Sequence, residues 1–194
     1  MPFKSAAKIG SAAALVAFGA ISQGALIHYE AFLDGPSESP PNASPGTGFA
    51  TFDFDTVLHT MKMHVEFTGL IGTTTASHIH APTAVPFSGT AGVATTTPTF
   101  AGFPLGVTSG IYDITLDLTL ASSWNPAYIT ANGGTTAGAE SAFMASIAAG
   151  KAYLNIHTAS FPGGEIRGFL RVPSPSALGL AGIGGLVMAA RRRR

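Results

Sequence analysis

The chain has 194 residues, enough for one domain with a sizeable core, and it contains 24 glycines, 13 prolines and no cysteine. Only 10% of its residues are charged, and the ten acids and four bases between residues 26 and 172 leave that body a net charge of −6. An acidic body without a basic patch argues against nucleic-acid binding, and the lack of cysteine excludes disulfides and thiolate metal sites.

The N-terminal segment predicts export. Lys4 and Lys8 precede an apolar run from about Ile9 to Ile21, and small residues follow. The run has no polar face, so it does not fit an amphipathic core helix, whereas this order of residues is typical of a secretory signal peptide. We therefore predict a signal peptide over residues 1–25. The protein is then expected in the cell envelope, on the cell surface or secreted.

Residues 26–172 are predicted to form a β-domain. Period-two alternation is clear in residues 61–68, where four apolar side chains alternate with polar ones, and again in residues 110–120, up to Leu120. Such alternation is typical of antiparallel strands with one side on a core and the other in water. Several strands between Gly- and Thr-rich loops predict an all-β fold, an immunoglobulin-like or Greek-key β-sandwich or barrel.

One short helix is predicted inside this body, and further apolar helical segments at the two termini. The segment 137–151 is rich in alanine, and Gly150 suits the position just after a helix end. In the strand that follows, Leu154 and Ile156 are expected to face the core. Tyr153, Asn155 and His157 are then expected to face outward.

Three histidines are candidates for a metal site. Alternation in "SHIHA" places His78 and His80 on the outer face of a strand, about 7 Å apart. His157 also faces outward, and matching the apolar faces of the last two strands sets Ile156 opposite Gly168 and Arg167 opposite His157. Three imidazoles in an open site suit copper or zinc. His64, on another outer face, is a weaker fourth candidate.

The alternative is that each histidine only makes hydrogen bonds to a carbonyl or carboxylate, as we expect for His28 and His59. Three ring nitrogens within about 4 Å of one another would favour the metal, since Zn–N bonds are about 2.0–2.1 Å long. Rings bonded separately to the backbone would favour the alternative. Glu165 and Arg167 share a face and are expected to form a surface ion pair, worth about 0–1 kcal/mol.

The C-terminal segment 173–194 predicts a second sorting signal. Pro173 and Pro175 precede 15 small or apolar residues, about 22 Å as a helix against a hydrocarbon core of about 30 Å, and the chain ends with Arg191, Arg192, Arg193 and Arg194. This order resembles the PEP-CTERM sorting signal, although Ser174 stands where glutamate is typical. The resemblance implies export machinery, a sorting protease and transient membrane association. A permanent C-terminal anchor is the alternative.

The body itself resembles a known family. "ASHIHAP" and "NIHTASFPGGEIRGFL" look like the two hallmark blocks of the CHRD domain, a module named after chordin that has no settled biochemical function. The family has a weak similarity to copper-zinc superoxide dismutases, which implies an immunoglobulin-like barrel with His78 and His80 as copper ligands and Arg167 as the anion-steering cation. The chain lacks the histidine-rich zinc loop and the cysteine pair, so a dismutase of the usual kind is excluded.

Two functions follow. The first is an exported, non-catalytic CHRD module at the cell surface or in the extracellular matrix, with an extracellular protein or polysaccharide as partner. The second is a periplasmic or surface protein that binds copper or zinc through His78, His80 and His157, with a dismutase-like redox site.

Overall fold

Alternating apolar side chains build a seven-stranded antiparallel sheet, curled into a half-barrel, in the computed structural model, which describes residues 26–173. The predicted all-β class is confirmed. The predicted signal peptide, Pro175 and the four terminal arginines lie outside the described residues. The strands are β1 (Leu26–Asp34), β2 (Thr47–Asp55), β3 (Thr60–Thr68), β4 (Thr74–His80), β5 (Gly110–Asp117), β6 (Tyr153–Thr158) and β7 (Ile166–Phe169).

The strands follow the order β4-β6-β7-β1-β2-β3-β5 across the sheet, so β4 and β5 form its edges. Burial alternates along β3 as its sequence predicts: its apolar side chains are buried on the inner face while Lys62 and Glu66 are exposed. The inner-face side chains pack against the helical segment between β5 and β6, residues 121–148. Trp124, Phe143 and Ile147 of this segment enter the core. One face of the sheet therefore supplies the hydrophobic core.

The predicted helix is present as α2 (Thr136–Ala148). The side chain of Thr135 accepts a hydrogen bond from the Gly138 amide at its start, and Gly150 adopts a φ of +67° beyond its end, a conformation that suits glycine. A shorter helix, α1 (Pro126–Ala131), was not predicted, although Asn125 before a proline is a typical helix start. No helix within residues 26–173 is long and apolar enough to span a bilayer.

The expected alternation fails at one place. Leu120 is 52% exposed rather than buried, because β5 already ends at Asp117. Tyr153 and Asn155 point outward as predicted, but they are only 2% and 3% exposed and so are not in contact with solvent. Loops cover this part of the outer face: the carbonyl oxygens of residues 37 and 89 accept from Arg167 of β7, and that of residue 98 accepts from His78 of β4.

The predicted register of β6 and β7 is also wrong. Ile156 pairs with Ile166 rather than Gly168, and Arg167 lies opposite Asn155 rather than His157. A shift by two residues leaves every side chain on the same face. Matching of apolar faces therefore could not distinguish the two registers.

Candidate metal centre

Three imidazoles meet on the outer face of the sheet near its β4 edge. His78 lies opposite Asn155 of β6, while His157 lies opposite Ala76 and is therefore diagonal to His78. The ring centroid of His78 is 4.7 Å from that of His80 and 4.7 Å from that of His157. One ring nitrogen from each residue lies within 4.8 Å of the other two, somewhat more than the separation of about 4 Å expected for a metal site. The structure thus brings together the three histidines that strand alternation predicts.

The backbone fixes the tautomer of all three rings. The Nδ1 atoms of His78, His80 and His157 lie 3.0, 2.7 and 2.9 Å from carbonyl oxygens, which belong to Pro98, Ala91 and Pro162. A carbonyl oxygen can only accept, so each Nδ1 carries the hydrogen. Each Nε2 of the neutral ring therefore keeps its lone pair. Separate backbone bonds are what the hydrogen-bonding alternative predicts, but orientation of a histidine by a bond from its other ring nitrogen is equally typical of metal ligands.

The three Nε2 atoms lack suitable partners within residues 26–173. Nε2 of His157 lies 3.0 Å from Nε2 of His78, and Nε2 of His80 is buried without a hydrogen bond among the described residues. Two lone pairs at 3.0 Å repel each other unless a positive ion lies between them. Ligand bonds of about 2.0–2.1 Å place ligand nitrogens about 3.4 Å apart, close to the separation of this Nε2 pair.

Burial keeps these imidazoles uncharged at neutral pH. It lowers the pKa of His78 to about 4, with the neighbouring His157 lowering it further, and it lowers the pKa of His80 to about 4. Burial also lowers the pKa of His157. Because only the neutral ring binds a metal, His78 and His80 stay in the binding form well below pH 7, and the pKa of His157 is shifted in the same direction.

The family of the chain follows from a comparison with family models. The model of the CHRD domain matches residues 29–170, which include all three histidines. The chain belongs to the CHRD domain family. No curated protein and no solved structure matches it. The likeness to copper-zinc dismutases therefore stays a prediction.

Arg167 of the CHRD domain lies one aromatic ring away from the cluster. Its guanidinium carbon is 4.7 Å from the ring centroid of Tyr153, and that ring stacks on His80 at 4.8 Å with an interplanar angle of 6°. The guanidinium donates to the carbonyl oxygens of Ser37 and, at 2.8 Å, Gly89. Arg167 is 3% exposed, so it fixes the loops over the site. It does not lie beside His157 as predicted.

Glu165 does not form the predicted surface ion pair with Arg167. Its carboxylate is completely buried and accepts hydrogen bonds from the hydroxyls of Ser44 and Thr158, both at 2.6 Å, and from the amides of Ile71 and Gly72. Burial alone would raise its pKa, but these four donors hold the pKa below its ordinary value. Glu165 therefore joins three chain segments of the CHRD domain.

His64 lies outside the cluster. It belongs to β3, and its ring nitrogens are 2.8 Å from Asp113 and 3.1 Å from Glu66, two carboxylates that raise its pKa. The prediction that His28 and His59 bond to polar neighbours is confirmed, since they contact Asp53 and Glu140. These three histidines therefore serve local hydrogen bonds in the CHRD domain.

Sequence reasoning missed Glu38 and Asn155. Both side chains are buried on the covered outer face, and Oε1 of Glu38 and Oδ1 of Asn155 have no hydrogen-bond partner among the described residues. Burial raises the pKa of Glu38 to about 7, although Arg167, 3.8 Å from its other oxygen, acts in the opposite direction. Glu38 lies in a Pro/Ser loop whose sequence gives no sign of burial.

Glu38→Gln is expected to stabilise the CHRD domain by about 1–3 kcal/mol at pH 8. A carboxyl whose pKa is raised on folding stabilises the folded state while protonated, and that contribution disappears as the pH rises from 4.5 through about 7. The neutral amide avoids this loss. Urea unfolding at pH 8 and pH 5 tests this prediction, and the difference between variant and wild type is expected to be much smaller at pH 5. Lower stability of the variant at pH 8 would show that the ionised carboxylate is favourable.

Proposed function

We propose that this CHRD domain binds one copper or zinc ion through Nε2 of His78, His80 and His157. One observation carries the proposal: backbone carbonyls occupy all three Nδ1 atoms, while Nε2 of His78 and His157 lie 3.0 Å apart and Nε2 of His80 is buried without a partner among the described residues. A set of separate hydrogen bonds would not require the 3.0 Å contact between two Nε2 atoms.

The ligand chemistry suits either ion. Three neutral imidazoles without a thiolate suit Cu(I), Cu(II) and Zn(II), and at equal availability Cu(II) binds such ligands more tightly than zinc. Copper would supply one-electron chemistry at this position, and zinc would act as a Lewis acid. We propose binding rather than turnover, because Arg167, which the dismutase likeness would assign to anion steering, already donates to two carbonyl oxygens.

We also propose that the domain works outside the cytoplasm, at the cell surface or in the periplasm. The support is the order of segments in the sequence: a basic and apolar N-terminus, the CHRD domain, and an apolar C-terminal segment before four arginines. A full-length fusion to a reporter that is active only after export tests this location. If the fusion with the intact N-terminus shows no reporter activity, the proposed location is contradicted.

Calorimetric titration of the metal-free full chain with Cu(II) and with Zn(II) tests the metal site. The wild type is expected to bind one equivalent, and the His78→Ala/His80→Ala double variant to lose at least about 100-fold in affinity. Loss of an outer-shell partner alone typically costs 10–100-fold, and this variant loses two ligands.

The matched control is the His28→Ala/His64→Ala double variant, which also loses two outer-face imidazoles but leaves the cluster intact. It is expected to keep the wild-type affinity. Circular dichroism verifies that both variants fold. Equal, weak binding by the wild type and both double variants would rule the site out.

A further inference from the structure

A second concave site lies on the outer face beside β1 and β7. A cavity of about 560 Å³ opens between residues 36–41 and residues 87–89, a volume typical of small-ligand sites. Aromatic side chains and two arginines line it together with Glu38: Phe32, Phe87, Phe169, Arg167 and Arg171. The metal-binding proposal makes no use of this cavity.

Two polar groups of the cavity have unused hydrogen-bonding capacity. Oε1 of Glu38 has no partner among the described residues, although this residue is only 7% exposed. The guanidinium of Arg171 lies 4.3 Å over the ring of Phe87, and no carboxylate within residues 26–173 lies within 4.0 Å of it. Arg171 therefore offers a cationic donor to a ligand in the cavity, and Glu38 adds an unpartnered carboxyl to the cavity wall.

An apolar strip continues from the cavity across the outer face. We define the outer strip as Phe87, Phe32, Phe49 and Ile111. Phe32 pairs with Phe49 across β1 and β2, their ring centroids are 4.9 Å apart, and Glu66 of β3 separates Phe49 from Ile111 of β5. Phe32 is 69% exposed and Ile111 is 65% exposed. Soluble proteins seldom expose such a row without a binding partner.

The chemistry of these groups selects the occupant. A pyranose ring has an apolar C–H face, which fits an exposed phenylalanine, and hydroxyls that both donate and accept, which fit Glu38 and Arg171. The net charge of −6 over residues 26–172 disfavours a polyanion, and a polycation would place like charges beside Arg167 and Arg171. A neutral saccharide meets all of these conditions.

We propose that the CHRD domain binds a neutral polysaccharide, one sugar of which enters the cavity at Arg171 and Glu38 while the following sugars lie along the outer strip. Calorimetric titration of the full chain with cellohexaose, maltohexaose and chitohexaose tests this, with hexagalacturonate as the anionic comparison. At least one neutral hexasaccharide is expected to bind saturably. Phe32→Ala and Arg171→Gln are each expected to lower the affinity for that hexasaccharide at least about tenfold.

Leu58→Ala is the matched control, because Leu58 is 67% exposed in the turn between β2 and β3, away from the strip. It is expected to bind the sugar as the wild type does, and all three variants to keep wild-type copper affinity. The proposal would be overturned if no neutral hexasaccharide binds or if hexagalacturonate binds more tightly than all of them. It would also be overturned if the outer strip is a contact between two copies of the chain. A concentration-dependent dimer that Phe32→Ala abolishes would show this.

Discussion

Glu165→Ala is expected to lower the free energy of unfolding by about 3–6 kcal/mol, a large part of the 5–15 kcal/mol typical of a domain. The substitution leaves the buried amide of Gly72 and the partly buried amide of Ile71 without an acceptor, and the loss of an acceptor for a buried donor costs about 1–3 kcal/mol. It also removes the acceptor that Ser44 and Thr158 share. Urea unfolding at pH 7 measures the change.

Glu66→Ala provides the comparison for Glu165→Ala. The Glu66 side chain is 57% exposed on the outer face of β3, so its removal is expected to change stability by less than about 0.5 kcal/mol. The lowered pKa of Glu165 adds a second signature, since its contribution is present above pH 4.5 and is lost as the pH falls further. A change below about 1 kcal/mol in Glu165→Ala would contradict the role of this carboxylate.

Acidification from pH 7 to pH 5 is expected to destabilise the metal-free Glu38→Gln variant by about 2–4 kcal/mol. In the unfolded chain, His78 and His80 take up protons below about pH 6.5, whereas the folded domain keeps them neutral down to about pH 4. Protons therefore favour the unfolded state in this window. The Glu38→Gln background is needed because protonation of Glu38 stabilises the folded wild type over nearly the same range.

Urea unfolding at pH 7, 6 and 5 provides the measurement. With His78→Ala and His80→Ala added to the Glu38→Gln background, the decrease in the free energy of unfolding between pH 7 and pH 5 is expected to fall below about 1 kcal/mol. This comparison does not depend on how stable the variant is at pH 7. His28→Gln serves as the control, since Asp53 raises the pKa of His28 and protonation of that residue stabilises the fold. An equal pH dependence with and without the two cluster histidines would refute their low pKa.

Local periodicity was sufficient to predict much of this fold. The alternation of β3, the α2 helix with Gly150 after it, and the common face of His78, His80 and His157 all depend on residues close together in sequence. A period-two pattern determines which face a side chain occupies, whatever strand lies beside it. The histidine cluster followed from this rule because all three residues belong to strands that pair directly.

Features that depend on loops and on register could not be predicted in the same way. The loops that cover β6 and β7 have no periodicity, so the burial of Asn155 and Arg167 left no pattern in the sequence. The β6–β7 register was ambiguous by two residues, because that shift keeps the same faces. Glu38 reaches the site from a distant loop, and only tertiary packing raises its pKa.

X-ray absorption at the zinc edge of the full chain, loaded with one equivalent of Zn(II), tests the central claim most directly. Binding through three Nε2 atoms predicts three imidazole nitrogens at about 2.0–2.1 Å from the zinc ion, with an oxygen or nitrogen atom in the fourth coordination position. The imidazole signal should fall sharply in the His78→Ala/His80→Ala double variant. A zinc shell made mainly of oxygen, with one imidazole or none, would contradict the account.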